Sequence, residues 1–95
     1  MLRLDYEQLE TSANSLIEQG NTFESCIESM TSTVNSLPDI WEADTCDAYV
    51  EQYNEAKVTL NKVRELIQDM ADQMKAIAAN FRQADEDMTS QMSGR

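Results

Sequence analysis

The chain has 95 residues, 18 Asp plus Glu against 7 Lys plus Arg, no His and a net charge of −11. That length suits one domain with a modest core, which packing against a further chain would reinforce. The acidic field repels phosphate backbones and anionic membrane surfaces, which speaks against nucleic-acid binding, and no apolar run is long enough for membrane insertion. Two Gly and one Pro argue against a β-rich fold.

The first element is a helix over about residues 6–37. Alternate steps of three and four residues pick out Tyr6, Leu9, Ala13, Leu16, Gly20, Phe23, Ile27, Met30, Val34 and Leu37. A seam with that spacing buries one helix face against a neighbour. Asp5 is the expected N-cap, with Gln8 at N3 and Leu4 and Leu9 at the hydrophobic-staple positions. Gly20 and Ala13 are small enough to let an opposing helix come close. Pro38 stops the helix at about Ser36 or Leu37, because the residue before proline avoids helical dihedrals.

The connection, Leu37 to Ala43, is long enough only for a reversal, so the next helix runs antiparallel. Trp41 in this turn is expected to pack over the helix ends. Asp44 is the expected N-cap of the second helix, which runs over about residues 45–90 and ends in a frayed tail from about residue 91. Its seam is Cys46, Tyr49, Tyr53, Ala56, Leu60, Val63, Ile67, Met70, Met74, Ile77, Phe81, Ala84 and Met88. The fold class is therefore all-α: one antiparallel two-helix hairpin domain over 1–95, expected to form a four-helix bundle as a dimer.

Folding about residue 40 or 41 places residue i of the first helix opposite roughly residue 81 − i of the second. Tyr6 then meets Met74 and Lys75, and Ile77, Phe81, Ala84 and Met88 continue past the end of the first helix. Such an overhang asks for a partner, since leaving a large apolar side chain wet forfeits about 1.5–3 kcal/mol. Ile17, Val50, Val58 and Leu66 widen the stripe beyond what two helices need. The expected dimer or partner surface thus includes Ile17, Val50, Leu66, Ile77, Ala84 and Met88. The acids Glu7, Glu10, Glu18, Glu24 and Glu28 occupy the first helix without a base, while Lys57, Lys62, Arg64, Lys75 and Arg82 lie on the second. That asymmetry could help choose a partner or an orientation.

Catalytic chemistry has no foothold. Without His there is no common triad or imidazole base. Cys26 and Cys46 form no metal-ligand spacing and read as small buried residues, too far apart along the hairpin to pair. No metal, cofactor-binding or catalytic residue is expected. The N-terminus lacks the apolar stretch of a secretory signal, so the chain stays in the cytoplasm or leaves by a route that needs no cleaved leader.

Two features remain: Trp41-Glu42-Ala43 in the turn, and Phe81 with Asp85 one helical turn apart, a ring and a carboxylate on one face. With the length and the hairpin layout, these resemble the WXG/Esx (early secreted antigenic target-like) family of the type VII secretion system. Ala43 stands where that family has Gly, and Phe81 where it often has Tyr. The resemblance implies a non-enzymatic dimer, with itself or with a similar small helical protein. It implies export from the bacterial cytoplasm by a membrane-bound ATPase without a cleaved signal peptide. Trp41 and Ala43 of one protomer and Phe81 and Asp85 of the other would form a composite export signal. Two alternatives stay open: a related targeting chaperone that binds the helical N-terminal domain of a larger LXG-type toxin, and a generic coiled-coil adaptor.

Overall fold

The structure is a computed structural model, and it describes residues 4–93. Two helices, α1 (Tyr6–Asn35) and α2 (Asp44–Ser93), fold back on each other across a 3₁₀ turn at Leu37–Asp39. There is no strand among the described residues. The molecule measures 79 × 19 × 16 Å, with a radius of gyration of 22.0 Å. A compact domain of this length would have about 12 Å. Its accessible surface is 7412 Å². About 5,500 Å² is usual for a compact monomer of this mass. The hairpin leaves exposed much of what a globular fold hides.

Local signals set the ends. Asp5 caps α1 as expected, its carboxylate accepting the Gln8 backbone N–H at 3.1 Å. Leu4 and Leu9, at the staple positions, are both half-buried. α1 ends at Asn35, where Ser36 turns its N–H and hydroxyl back onto Ser32 and Thr33 carbonyls. Pro38 supplies the start of the 3₁₀ turn, and the Leu37 carbonyl accepts from both Ile40 and Trp41 N–H.

The start of α2 differs by one residue from expectation. The Ala43 carbonyl accepts from Cys46 and Asp47 N–H, so Ala43 takes the N-cap's backbone role and Asp44 is the first helical residue. Alanine has no side-chain acceptor for the free N–H groups of the first turn. Ala43→Ser should therefore stabilise the hairpin by about 1 kcal/mol, read as a rise in thermal midpoint of about 4–8 °C for a domain of this size. No described residue has positive φ, so the turn does not need a glycine conformation. α2 runs on to Ser93 rather than stopping near Ser90. Gly94 and Arg95, the rest of the expected frayed tail, lie outside the described residues, as do Met1 to Arg3.

The register also differs. Tyr6 meets Arg82 and Asp85 rather than Met74 and Lys75, a displacement of two to three helical turns. The connection does not reverse at a point. Its 3₁₀ turn runs on beyond α1 beside the first turns of α2, where Pro38 shares a groove with Val50 and Val58. The overhang is therefore short and begins after Asp85. Ile77 and Ala84 lie alongside α1, and their exposure has another cause.

That cause is the column of α2 on which α1 sits. Residues seven apart share a column on packed helices. The column Cys46, Tyr53, Leu60, Ile67 and Met74 is buried or half-buried, as expected. The other column under α1 is not Tyr49, Ala56, Val63, Met70 and Ile77 but Val50, Lys57, Arg64, Ala71 and Ala78. Ala71 and Ala78 are fully buried, as is Ala13 opposite. Small residues on both sides let the backbones approach. Gly20 is part of this close seam: a Cβ there would lie 3.0 Å from Arg64 Nη1 and from Ile67 Cγ2.

Candidate functional site: an uncharged flank between the turn and the helix end

Polar contacts define one flank of the hairpin. Arg64, only 16% exposed, donates to Asn21 Oδ1 at 2.8 Å and stands 3.6 Å from Glu24. Arg82 bonds Glu10 at 3.0 Å and lies 4.9 Å from the centre of the Tyr6 ring. Tyr6 donates its hydroxyl to Asp85 at 3.2 Å. Burial raises the Tyr6 phenol above 10.0, and the Asp85 charge and hydrogen bond raise it further. Tyr53 donates to the Ile27 carbonyl and shares a 2.8 Å hydrogen bond with Thr31. Two bases of α2, Arg64 and Arg82, thus meet acids of α1.

The opposite flank is apolar. On α2 it carries the open column, with Tyr49 58%, Met70 48% and Ile77 46% exposed, and Leu66 beside it. On α1 it carries Leu9, Leu16, Phe23 and Met30, of which Met30 is exposed. The rim is uncharged. On α1 the adjoining columns are Ser12, Gln19, Cys26, Thr33 and then Gln8, Ser15, Thr22, Ser29, and all five glutamates of that helix fall on the other side. On α2 the adjoining column reads Gln52, Thr59, Leu66, Gln73 and Asn80, with no charge before Asp87. A chain of net charge −11 keeps this one flank neutral.

The expected surface residues separate accordingly. Leu66, Ile77 and Ala84 lie on the neutral flank. Phe81 and Met88 continue the Cys46 column where α1 runs out, and are 45% and 62% exposed. Ile17 and Val50 do not join them. They share the columns of Glu24 and Arg64, on the polar flank, and both are half-buried. Cys26 is exposed rather than buried, because its column lies on the rim. Cys46 is buried and unpaired, and burial, with Asp47 nearby, pushes its thiol up, which keeps it protonated at neutral pH.

The two halves of the expected signal stand at opposite ends. Trp41 is half-buried in the turn, its ring centre 5.3 Å from that of Tyr49. Phe81 lies about 55 Å further along α2, at 1.5 Å per residue. They cannot meet within one chain. Asp85 is held by Tyr6, and the sequence reading missed this contact and the Arg82–Glu10 pair beside Tyr6. No spacing on one helix announces a bond between residues 79 apart. The neutral flank was legible, by sorting the charges of α1 into columns. Among the described residues no cluster of acidic, Cys or His side chains could hold a metal ion, and no helix is long and apolar enough to cross a membrane.

The fold and flank define a class of small, elongated two-helix hairpins with an aromatic turn and one open apolar face. The family model described as "WXG100: Proteins of 100 residues with WXG" matches residues 1–86. The chain belongs to this family. It is similar to Protein YukE of Bacillus subtilis, 22% identical over 94 residues, spanning 99% of this chain and 97% of that protein. It is also similar to the ESAT-6-like protein SAG1039 of Streptococcus agalactiae, 25% identical over 93 residues, spanning 98% and 97%. No solved structure matches.

Proposed function

We propose that this chain is an Esx-like type VII secretion substrate: a non-enzymatic helical hairpin exported as a dimer, without a cleaved signal peptide. The observation that carries the reading is the uncharged apolar flank. A face rimmed by Gln, Ser, Thr and Asn gives a strongly acidic chain a surface that a second acidic chain can approach without like-charge repulsion. Two hairpins packed antiparallel through it would bring Trp41 of one beside Phe81 and Asp85 of the other. Ala43 keeps the small residue of the turn, and Phe81 keeps the ring of the helix-end motif. The secretion ATPase would read the composite surface.

A secretion assay tests the role. Phe81→Ala and Asp85→Ala should each reduce export at least tenfold with the far-UV helical signal unchanged. Tyr6→Phe, which removes only the hydroxyl that holds Asp85, should reduce it less. Normal export of both alanine variants would refute the signal. The targeting-chaperone reading rests on Ala43 in place of glycine and on Phe81, four residues before Asp85, in place of tyrosine. It requires that the flank take the helical domain of an LXG-type toxin, and a purified protein that stays monomeric until such a domain is added would favour it.

A further inference from the structure

A second surface lies away from the neutral flank, on the first turns of α2. Val50, Asn54 and Val58 follow one another at four-residue steps, and Pro38 from the connection closes the side of the groove they form. Val50 is half-buried and Val58 is 56% exposed, so its floor is apolar and open to solvent. Asp47, Glu51 and Glu55 follow the same four-residue steps and also line it.

Among the described residues none of these carboxylates makes an ion pair or a side-chain hydrogen bond. The ion pairs among the described residues are Arg64–Glu24 and Arg82–Glu10, so no base is spent on the ladder. Like charges four apart on a helix repel. The helix dipole favours Asp47 in the first turn, but its effect fades before Glu51 and Glu55. From Asp39 to Ala56 the chain holds six acids and no Lys or Arg. Three of the six, Asp47, Glu51 and Glu55, line the apolar groove and attract cations to it.

We infer that this groove docks a cationic amphipathic helix of another protein, one that carries apolar and Lys/Arg residues in neighbouring four-residue ladders. The apolar ladder would cover Val50 and Val58, while the basic one pairs with Asp47, Glu51 and Glu55. Val50 shares the Arg64 column, on the flank opposite Val63 and Ile77, so the groove stays accessible when the neutral flank is occupied. The site is separate from the export surface and does not depend on it.

The test uses the full chain and a fluorescent synthetic peptide with leucines and arginines at matching four-residue spacing. A scrambled peptide of the same composition is the control. The patterned peptide should bind at least tenfold tighter than the scrambled one. Glu51→Lys combined with Glu55→Lys should cost at least tenfold, and Val58→Asn should cost several-fold. Light scattering and the helical signal should be unchanged in both variants, since these positions face away from the neutral flank. Equal binding of the two peptides would reduce the effect to diffuse charge attraction and overturn the inference. So would undiminished binding by both variants, or amide shifts centred on Val63 and Ile77 instead of on residues 47–58.

Discussion

In the proposed dimer, Val63→Glu combined with Ile77→Glu should break the pair into monomers. Both side chains lie in the open column of α2, at 39% and 46% exposure in the single hairpin. Each would place a carboxylate in an apolar interface with no base on the flank to receive it. Burying an unpaired charge costs several kcal/mol. Even about 3 kcal/mol in total weakens dimerisation more than 100-fold. Sedimentation or light scattering across a dilution series reads the change.

The same variant should lose stability, because the lone hairpin has little core. Its fully or nearly fully buried apolar side chains are Ala13, Ile27, Cys46, Ala71 and Ala78, three of them alanines. Small scaffolds with so little buried surface depend on association. The wild-type melting temperature should therefore rise with protein concentration, as for any fold stabilised by its partner. Val58→Glu, on an exposed position of another face, is the control and should leave the dimer intact. A Val63/Ile77 variant that remains dimeric would remove the neutral flank as the interface.

The second large effect is expected at Gly20. Gly20→Leu should destabilise the hairpin by about 1–3 kcal/mol, the usual cost of overfilling a packed site. Because even a Cβ would sit 3.0 Å from Ile67 Cγ2 and Arg64 Nη1, the longer side chain must push α1 and α2 apart. It would also displace Arg64 from its 2.8 Å bond to Asn21. At this chain length each kcal/mol lowers the thermal midpoint by about 4–8 °C. Gly20→Ala separates packing from propensity. Alanine gains up to about 1 kcal/mol as a helix former, and that gain should roughly cancel the cost of moving one flexible guanidinium and one methyl. If Gly20→Leu melts like wild type, the seam is looser than the contacts indicate.

By itself, the sequence determined what is local. Asp5 and Pro38 act on their own neighbours through one hydrogen bond or one forbidden dihedral, so the limits of α1 followed from residue type. The three-and-four spacing is likewise local, and it defined two helices, one apolar face on each and a reversal between them. Trp41, Phe81 and Asp85 at fixed places in that layout pointed to the family. Only the tertiary structure decided which columns meet. Tyr49, Val63, Met70 and Ile77 form as regular a column as any beneath α1, yet Ala71 and Ala78 lie there instead. Ala13 and Gly20 leave room for close approach, Gly20 directly against Arg64 and Ile67, and Arg64 and Arg82 find Asn21, Glu24 and Glu10 only on that side. The register was decided the same way, by the path of the connection past the end of α1, which no periodicity encodes. The result is the feature on which the functional reading rests: Tyr49, Val63, Met70 and Ile77 face outward on a flank without charge.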